Sequence, residues 1–339
     1  MSLVYLVWLK FFLCLAMILF AGTKLAHYGD VIAEKTNLGR IWIGLIFLAA
    51  ITSMPELVTS VSSVVLVSSP DLALGTLLGS CLFNLSILAL LDILHARTPV
   101  LTEASPRHVA SAGLGIVLAA VAAGGIMYGG RISWLTLGRI GVPSIIILII
   151  YLLGMRRVLQ LERSSQVPAE TDCSQYSGVS GRTIYIKFAL AAAVVVGAGI
   201  WLSYVGKEIG DITGWSASFV GSLFLAITTS APELAVAIAA LRLNAIDMAV
   251  ADILGANMLD LAVIALVDVS YSEPILSSVS TTHFITAVIV VAMNLLVITG
   301  LRLRQKRKTF VFISWYALAL IGLYIFGGYA IFTSSIGLR

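Results

Sequence analysis

Apolar residues run in ten long blocks along the chain, at approximately 3–23, 41–66, 72–94, 109–128, 138–155, 184–204, 216–241, 246–267, 281–301 and 310–332. Within each block they are continuous and do not alternate with period two, which predicts helices and not the strands of a barrel. A helix needs about 20 apolar residues to cross a hydrocarbon core roughly 30 Å thick. The pattern therefore predicts an all-α membrane protein with ten transmembrane helices. The first block carries Lys10 in its middle and lacks a basic start and a small-residue cleavage site, so it is read as a retained helix and not a signal peptide. Lys10 is expected to pack against another helix or to snorkel to the interface.

The blocks repeat. Residues 42–57 and 219–234, compared at an offset of 177, are identical at nine of sixteen positions, including Thr52/Thr229, Ser53/Ser230, Pro55/Pro232 and Glu56/Glu233. Residues 71–93 and 247–269 align at an offset of 176, where Asp71/Asp247, Gly79/Gly255 and Asp92/Asp268 coincide and Asn84 falls opposite Asp260. This predicts one five-helix unit used twice, 1–155 and 184–339, joined by a polar linker at 156–183. Five is odd, so the second copy enters the membrane from the opposite face. Two inverted five-helix repeats are expected, with a binding site at their interface near the midplane.

Composition sharpens this reading. The 339 residues are 59% hydrophobic and 11% charged, with a mean hydropathy of +1.03, against about 25% charged in soluble domains. With ten spans, one side of the membrane holds 16 Lys and Arg and the other 4. That asymmetry predicts both termini outside and the 156–183 loop in the cytoplasm of a cell or inner membrane protein. The net charge of +4 follows from this topology and does not point to nucleic acid. The run Arg302, Arg304, Lys306, Arg307, Lys308 is a topology signal, with anionic lipid contact as an alternative. Cys14, Cys81 and Cys173 suggest no disulfide framework, and His27, His95, His108 and His283 form no close-spaced metal motif.

Carboxylates inside the bilayer are expensive, about 2.5–3.5 kcal/mol each on insertion scales. Glu56 and Glu233 nevertheless lie within long apolar blocks, each directly after a proline that frees the carbonyl four residues earlier, Ile51 or Thr228. Thr52 and Ser53, and Thr229 and Ser230, stand four and three residues before their glutamates, on the same helical face. Carboxylates, hydroxyls and loosened carbonyls are hard oxygen donors of the kind Ca²⁺ and similar cations prefer. Thr76, Ser80 and Asn84 form a stripe spaced by four, as do Asp252, Ala256 and Asp260, with Gly79 and Gly255 allowing close helix approach. If the stripes face the glutamates, Asn84 and Asp260 supply further ligands, and Asp252 is either a ligand or a residue at a water-filled entrance. Asp92 and Asp268 fall at helix ends and are expected at the interface.

These residues resemble the sodium/calcium exchanger family of the cation/calcium antiporters, whose paired repeats carry G-T-S-x-P-E followed by G-N-x-x-G-S-x-x-x-N/D. Here the elements read I-T-S-M-P-E (51–56) with G-T-L-L-G-S-C-L-F-N (75–84), and T-T-S-A-P-E (228–233) with A-D-I-L-G-A-N-M-L-D (251–260). The resemblance implies Glu56 and Glu233 as central ligands for Ca²⁺ and Na⁺, and Asn84 and Asp260 as their companions. It further implies oxygens from Thr52, Ser53, Thr229, Ser230 and Ser80 and from the backbone of Ala49 and Ala226. Asp252 and Thr76 are further candidates. The chain departs from the pattern at Ile51 and Thr228, which replace a glycine, at Thr76 and Asp252, which replace an asparagine, and at Ala256, which replaces a serine.

The function implied is a secondary active antiporter exchanging Ca²⁺ for Na⁺ by alternating access. The alternatives are an H⁺-coupled antiporter of calcium or another divalent cation, and a cation channel. The first block and 184–204 are suited to slide against the other eight helices. No metalloprotease, nucleophile-elbow or P-loop motif is present, so neither enzyme chemistry nor nucleotide drive is expected. The expected partners are inorganic cations and membrane lipid, with no nucleic acid and no cofactor beyond the transported Ca²⁺ and Na⁺ or H⁺.

Overall fold

A computed structural model of the protein describes residues 2–35, 48–95, 98–132, 136–163, 181–305, 307–310 and 312–335. The first copy holds α1 (Ser2–Lys35), α2 (Ala49–Thr52), α3 (Met54–Val65), α4 (Pro70–Leu94), α5 (Val100–Glu103), α6 (His108–Ile132) and α7 (Val142–Arg163). A two-residue antiparallel hairpin, β1 (Thr136–Leu137) with β2 (Ile140–Gly141), precedes α7. The second copy holds α8 (Gly181–Thr213), α9 (Ala217–Val220), a π-helical turn at Gly221–Leu225, α10 (Ala226–Thr229), α11 (Ala231–Arg242), α12 (Ile246–Ser270), α13 (Ile275–Ser278), α14 (Thr282–Leu303) and α15 (Trp315–Ser335).

Eight of these helices are long and apolar enough to cross a membrane. A ninth candidate is the pair Ala217–Thr229 and Ala231–Arg242, bent by 43° at Ser230. The chain is thus a helical integral membrane protein. The first part of the block predicted at 41–66, and most of the linker with Cys173, lie outside the described residues.

The duplication reaches the backbone. Ser68 and Asn244, 176 residues apart, both adopt left-handed φ angles, 53° and 57°, in the short turns that deliver the chain into α4 and α12. Pro55 and Pro232 each sit in the first turn of α3 and α11, where a missing N–H costs nothing. The helix before each proline stops at Ser53 or Ser230, because the ring excludes a continuous ladder.

Burial sorts the helices into a centre and a jacket. In the most apolar windows of α4 and α12, 72% and 83% of residues are buried, against 22% for α1 and for α15. Leu74, Leu77, Leu78, Leu82, Leu85 and Leu88 of α4 share one core with Ile253, Leu254, Leu261 and Ile264 of α12. A second cluster joins α1 to α8 through Val7, Phe11, Cys14, Ile18, Ala198, Leu202, Val205 and Ile209, and reaches Val220 and Leu225 around the π-helical turn.

Lys10 finds a helix partner: its Nζ lies 2.8 Å from Glu208 of α8, tying the two jacket helices together. Glycines let these helices cross the opposite copy closely. A Cβ on Gly22 of α1 would meet Pro232 at 2.4 Å, and one on Gly199 of α8 would meet Thr59 and Val58 of α3 at 3.1 Å. Gly22 and Gly199 are 177 residues apart, and each crosses the helix that follows the break in the opposite copy, Gly199 about one turn further along than Gly22.

Candidate functional site: a buried carboxylate cluster

Glu56 and Glu233 occupy the first turns of α3 and α11, immediately past the two breaks, and neither exposes any surface. The breaks turn the chain so that each motif faces the other copy. Ser230 Oγ donates to Glu56 Oε1 at 2.8 Å, with the hydroxyls of Thr229 and Ser80 close by. Ser80 and Thr229 are themselves 3.4 Å apart, oxygen to oxygen, across the two copies. Glu233 lies within electrostatic reach of Glu56, Asp252 and Asp260, and Asp260 within that of Glu56.

Four carboxyl groups therefore share one buried region. Among the described residues, seven of their oxygens have no hydrogen-bond partner, one from Glu56 and two each from Glu233, Asp252 and Asp260. The same is true of both polar atoms of Asn84 and of Ser53 Oγ. Among the described residues no lysine or arginine pairs with these acids. Buried polar atoms are normally satisfied, because an unpaired one costs about 1–3 kcal/mol, and more when charged. Such a concentration of bare oxygens is chemically able to hold a positive charge. Among the described residues no three His, Cys, Asp or Glu side chains close on a single point, so an ion here would also draw on Asn84 and the hydroxyls.

The other sequence candidates divide. Thr52 Oγ1 and Ser53 N both bond the Ala49 carbonyl, at 3.2 and 3.0 Å, and Thr229 Oγ1 and Ser230 N bond that of Ala226, at 3.3 and 3.0 Å. Those two carbonyls thus have both lone pairs engaged within their own helices, and each is open to an ion only when its threonine hydroxyl turns away. Thr76 Oγ1 donates to Leu72 O at 2.8 Å and is satisfied within its own helix, whereas its counterpart Asp252 is fully buried and bare.

Close helix approach supports the cluster. A Cβ on Gly79 would lie 2.3 Å from the Ser222 carbonyl oxygen, and one on Gly221 would lie 2.6 Å from that of Leu72. Cys81 and Asn257, 176 residues apart, bond each other reciprocally: Cys81 Sγ meets Asn257 O at 3.7 Å and Asn257 Nδ2 meets Cys81 O at 3.4 Å. Equivalent residues touching each other is what a two-fold relation between the copies produces.

Asp92 and Asp268 stand near the ends of α4 and α12, where the sequence reading placed them, and both are fully buried within the protein. Asp92 accepts from Val100 N, Ser314 N, Ser314 Oγ and Tyr316 OH, and Lys308 approaches it at 3.8 Å. Asp268 accepts from Ile275 N and Gly141 N. Each fastens a helix end to the other copy.

The sequence reading missed two further pairs. His283 Nε2 bonds Asp71 at 3.0 Å, and His108 Nε2 bonds Asp247 at 3.1 Å. The signal was present, since Ser105-x-x-His108 recurs as Ser280-x-x-His283 at an offset of 175.

Comparison with known proteins agrees with this architecture. The chain is 24% identical over 261 residues to the inner membrane protein YrbG of Escherichia coli, covering 74% of this chain and 75% of that protein. Its fold resembles the solved structure of the sodium-calcium exchanger NCX_Mj, with a TM-score of 0.60 and 20% identity over 95% of this chain and 97% of the other. It also resembles the H⁺/Ca²⁺ exchanger CAX, with a TM-score of 0.72 and 14% identity over 98% and 86%. The profile of the family described as "Sodium/calcium exchanger protein" matches residues 6–156 and 183–333, one segment for each copy. The chain belongs to the sodium/calcium exchanger family of cation antiporters.

Proposed function

We propose that this protein exchanges Ca²⁺ for Na⁺ across a cell or inner membrane, by alternating access to the cluster built on Glu56, Asn84, Glu233 and Asp260. Thr52, Ser53, Ser80, Thr229 and Ser230 supply oxygens to the transported ions, with the carbonyls of Ala49 and Ala226 and the side chain of Asp252 as further donors. The observation that carries this reading is the set of seven bare carboxylate oxygens in one buried region. Four carboxyls carry enough charge to bind either one divalent or several monovalent cations. Competition for the same oxygens then enforces exchange, because an empty cluster of unpaired acids resists transfer through a low-dielectric interior.

Ten transmembrane helices in two inverted repeats, 1–155 and 184–339, with a cytoplasmic linker at 156–183 and both termini outside, complete the proposal. The exchanged contacts support it. Asp71 bonds residues at the starts of α9 and α14, and all three helix starts fall on the outer face in this topology. Asp247 bonds His108 at the start of α6, and both fall on the inner face. The jacket pair α1 and α8, with its own hydrophobic cluster and matched glycine crossings over α11 and α3, is suited to slide past the site.

An H⁺-coupled exchange is the second reading, favoured by one departure: Asp252 adds a carboxyl one turn from Ala256, where the family pattern has a serine hydroxyl. The experiment is ⁴⁵Ca²⁺ uptake into proteoliposomes loaded with Na⁺ or held at acid internal pH, with Glu56→Gln and Glu233→Gln as controls. Uptake that requires internal Na⁺ and is lost in both variants supports the first reading. Uptake that follows only the pH gradient supports the second, and no uptake under either condition refutes calcium antiport.

A further inference from the structure

Asp71 and Asp247 lie outside the carboxylate cluster, in the first turns of the two ligand-bearing helices α4 and α12. Each is held by the other copy. Asp71 accepts from Ser280 N at 2.7 Å, from His283 Nε2 at 3.0 Å and from Ser218 Oγ at 3.3 Å. Asp247 accepts from Ser105 N at 2.5 Å and from His108 Nε2 at 3.1 Å. His283 and His108 are buried, and Nδ1 of each ring has no partner among the described residues. Each imidazole is therefore oriented by one described bond, an Nε2–H donated to its aspartate. The carboxylates sit where helix N-termini converge, and the exposed amides there favour an anion.

From this geometry we propose that Asp71–His283 and Asp247–His108 are exchanged clasps, two pairs of positioning residues that fix the height of α4 against α9 and α14 of the second copy and of α12 against α6 of the first. The clasps govern cation affinity from outside the site. Nine residues separate Asp71 from Ser80 and thirteen separate Asp247 from Asp260, roughly 14 and 20 Å along a helix rising 1.5 Å per residue. A straight helix transmits an axial shift over that length undiminished. Ser80 and Asn84 come from α4 and Asp260 from α12, so releasing either clasp moves one helix's donors against the rest of the set. Asp71 also grips α9 through Ser218, and α9 leads through the π-helical turn to Thr229, Ser230 and Glu233. Its clasp thereby spans donors on both copies. The inference rests on the ligand set proposed above, and the test separates the two.

The test is a double-mutant cycle in full-length protein reconstituted in proteoliposomes. Apparent KM and maximal rate of ⁴⁵Ca²⁺ uptake are measured for Asp71→Ala, His283→Ala and their combination. Each single variant is expected to raise KM on the order of 3- to 10-fold with the maximal rate kept, and the combination to do no worse than either alone. His283→Gln, whose amide N–H reaches the Nε2 position, is expected to restore most of the affinity, and His283→Asn, which is too short, is not. Combining Asp71→Ala with Asp247→Ala is expected to multiply the two effects. Unchanged KM, effects that multiply between Asp71 and His283, or a Gln variant no better than Asn would each overturn the proposal. Should the alanine variants fail to assemble, the comparison of Gln with Asn decides alone. A wild type that moves no Ca²⁺ defeats the antiport reading instead. The same cycle read by thermal unfolding then tests the clasp, with additive losses overturning it.

Discussion

Gly79→Ala isolates the close packing that brings the two copies together. The added Cβ would lie 2.3 Å from Ser222 O, 2.5 Å from Ser222 Cα and 2.7 Å from Ser222 C, all of them backbone atoms that cannot rotate away. Relaxed carbon contacts begin at about 3.5 Å, so α4 must retreat from the π-helical turn by roughly 1 Å. Overpacking of this kind costs about 1–3 kcal/mol, offset by as much as about 1 kcal/mol of helix propensity gained on replacing glycine. The expected net loss of stability therefore lies between about 0 and 3 kcal/mol.

Function should suffer more than stability. Ser80 follows Gly79 directly and stands 3.4 Å from Thr229, and Asn84 lies little more than one turn further on. A misplacement of about 1 Å costs on the order of 100-fold where reacting or ligating groups must be held in register. Calcium ligands tolerate only about 2.3–2.6 Å. ⁴⁵Ca²⁺ uptake by Gly79→Ala is thus expected to fall about 10- to 100-fold in protein that elutes as a single species and unfolds within a few degrees of wild type. Gly124→Ala, whose Cβ would meet nothing within 4 Å, is the control and should transport normally. Wild-type uptake by Gly79→Ala would refute the claim that α4 and the π-helical turn fix the site's geometry.

Three other perturbations test separate parts of the account. Asp92→Ala strips a buried carboxylate from Val100 N, Ser314 N, Ser314 Oγ and Tyr316 OH. It should cost about 3–5 kcal/mol, visible as a clear fall in unfolding temperature; a change near zero would contradict its role as a fastener. Lys10→Ala breaks a pair whose side chains remain 29% and 39% exposed. It should therefore shift stability by about 1 kcal/mol or less, and a larger drop would mean the pair does more than join α1 to α8. Asp252→Thr makes the second copy match the first at Thr76. Loss of a charged donor worth about 1.5–3 kcal/mol predicts a rise in Ca²⁺ KM of about 10-fold or more, and an unchanged KM would remove Asp252 from the ligand set.

The sequence alone determined the membrane setting, the helical class, the duplication and the two glutamates. All of these rest on local physics. A run of about 20 apolar residues has one stable form in a bilayer, and a carboxylate within such a run is too costly to be incidental. The proline before each glutamate marked the break, and the structure ends both helices at Ser53 and Ser230, as that chemistry requires.

What only the tertiary structure decided is which groups meet. Thr76 and Asp252 occupy equivalent positions, yet one is satisfied by its own helix and the other is bare. Asp92 and Asp268 stand at helix ends, and the opposite copy folds over them and supplies part of their donors, Ser314 and Tyr316 to the one and Gly141 to the other. The pairing of Asp71 with His283 and of Asp247 with His108 spans 212 and 139 residues. No periodicity within a helix encodes such contacts. Helical pattern reports a residue's face and depth along its own axis; its partner across the interface depends on how two rigid bodies dock, and that is set by the summed packing of every helix at once.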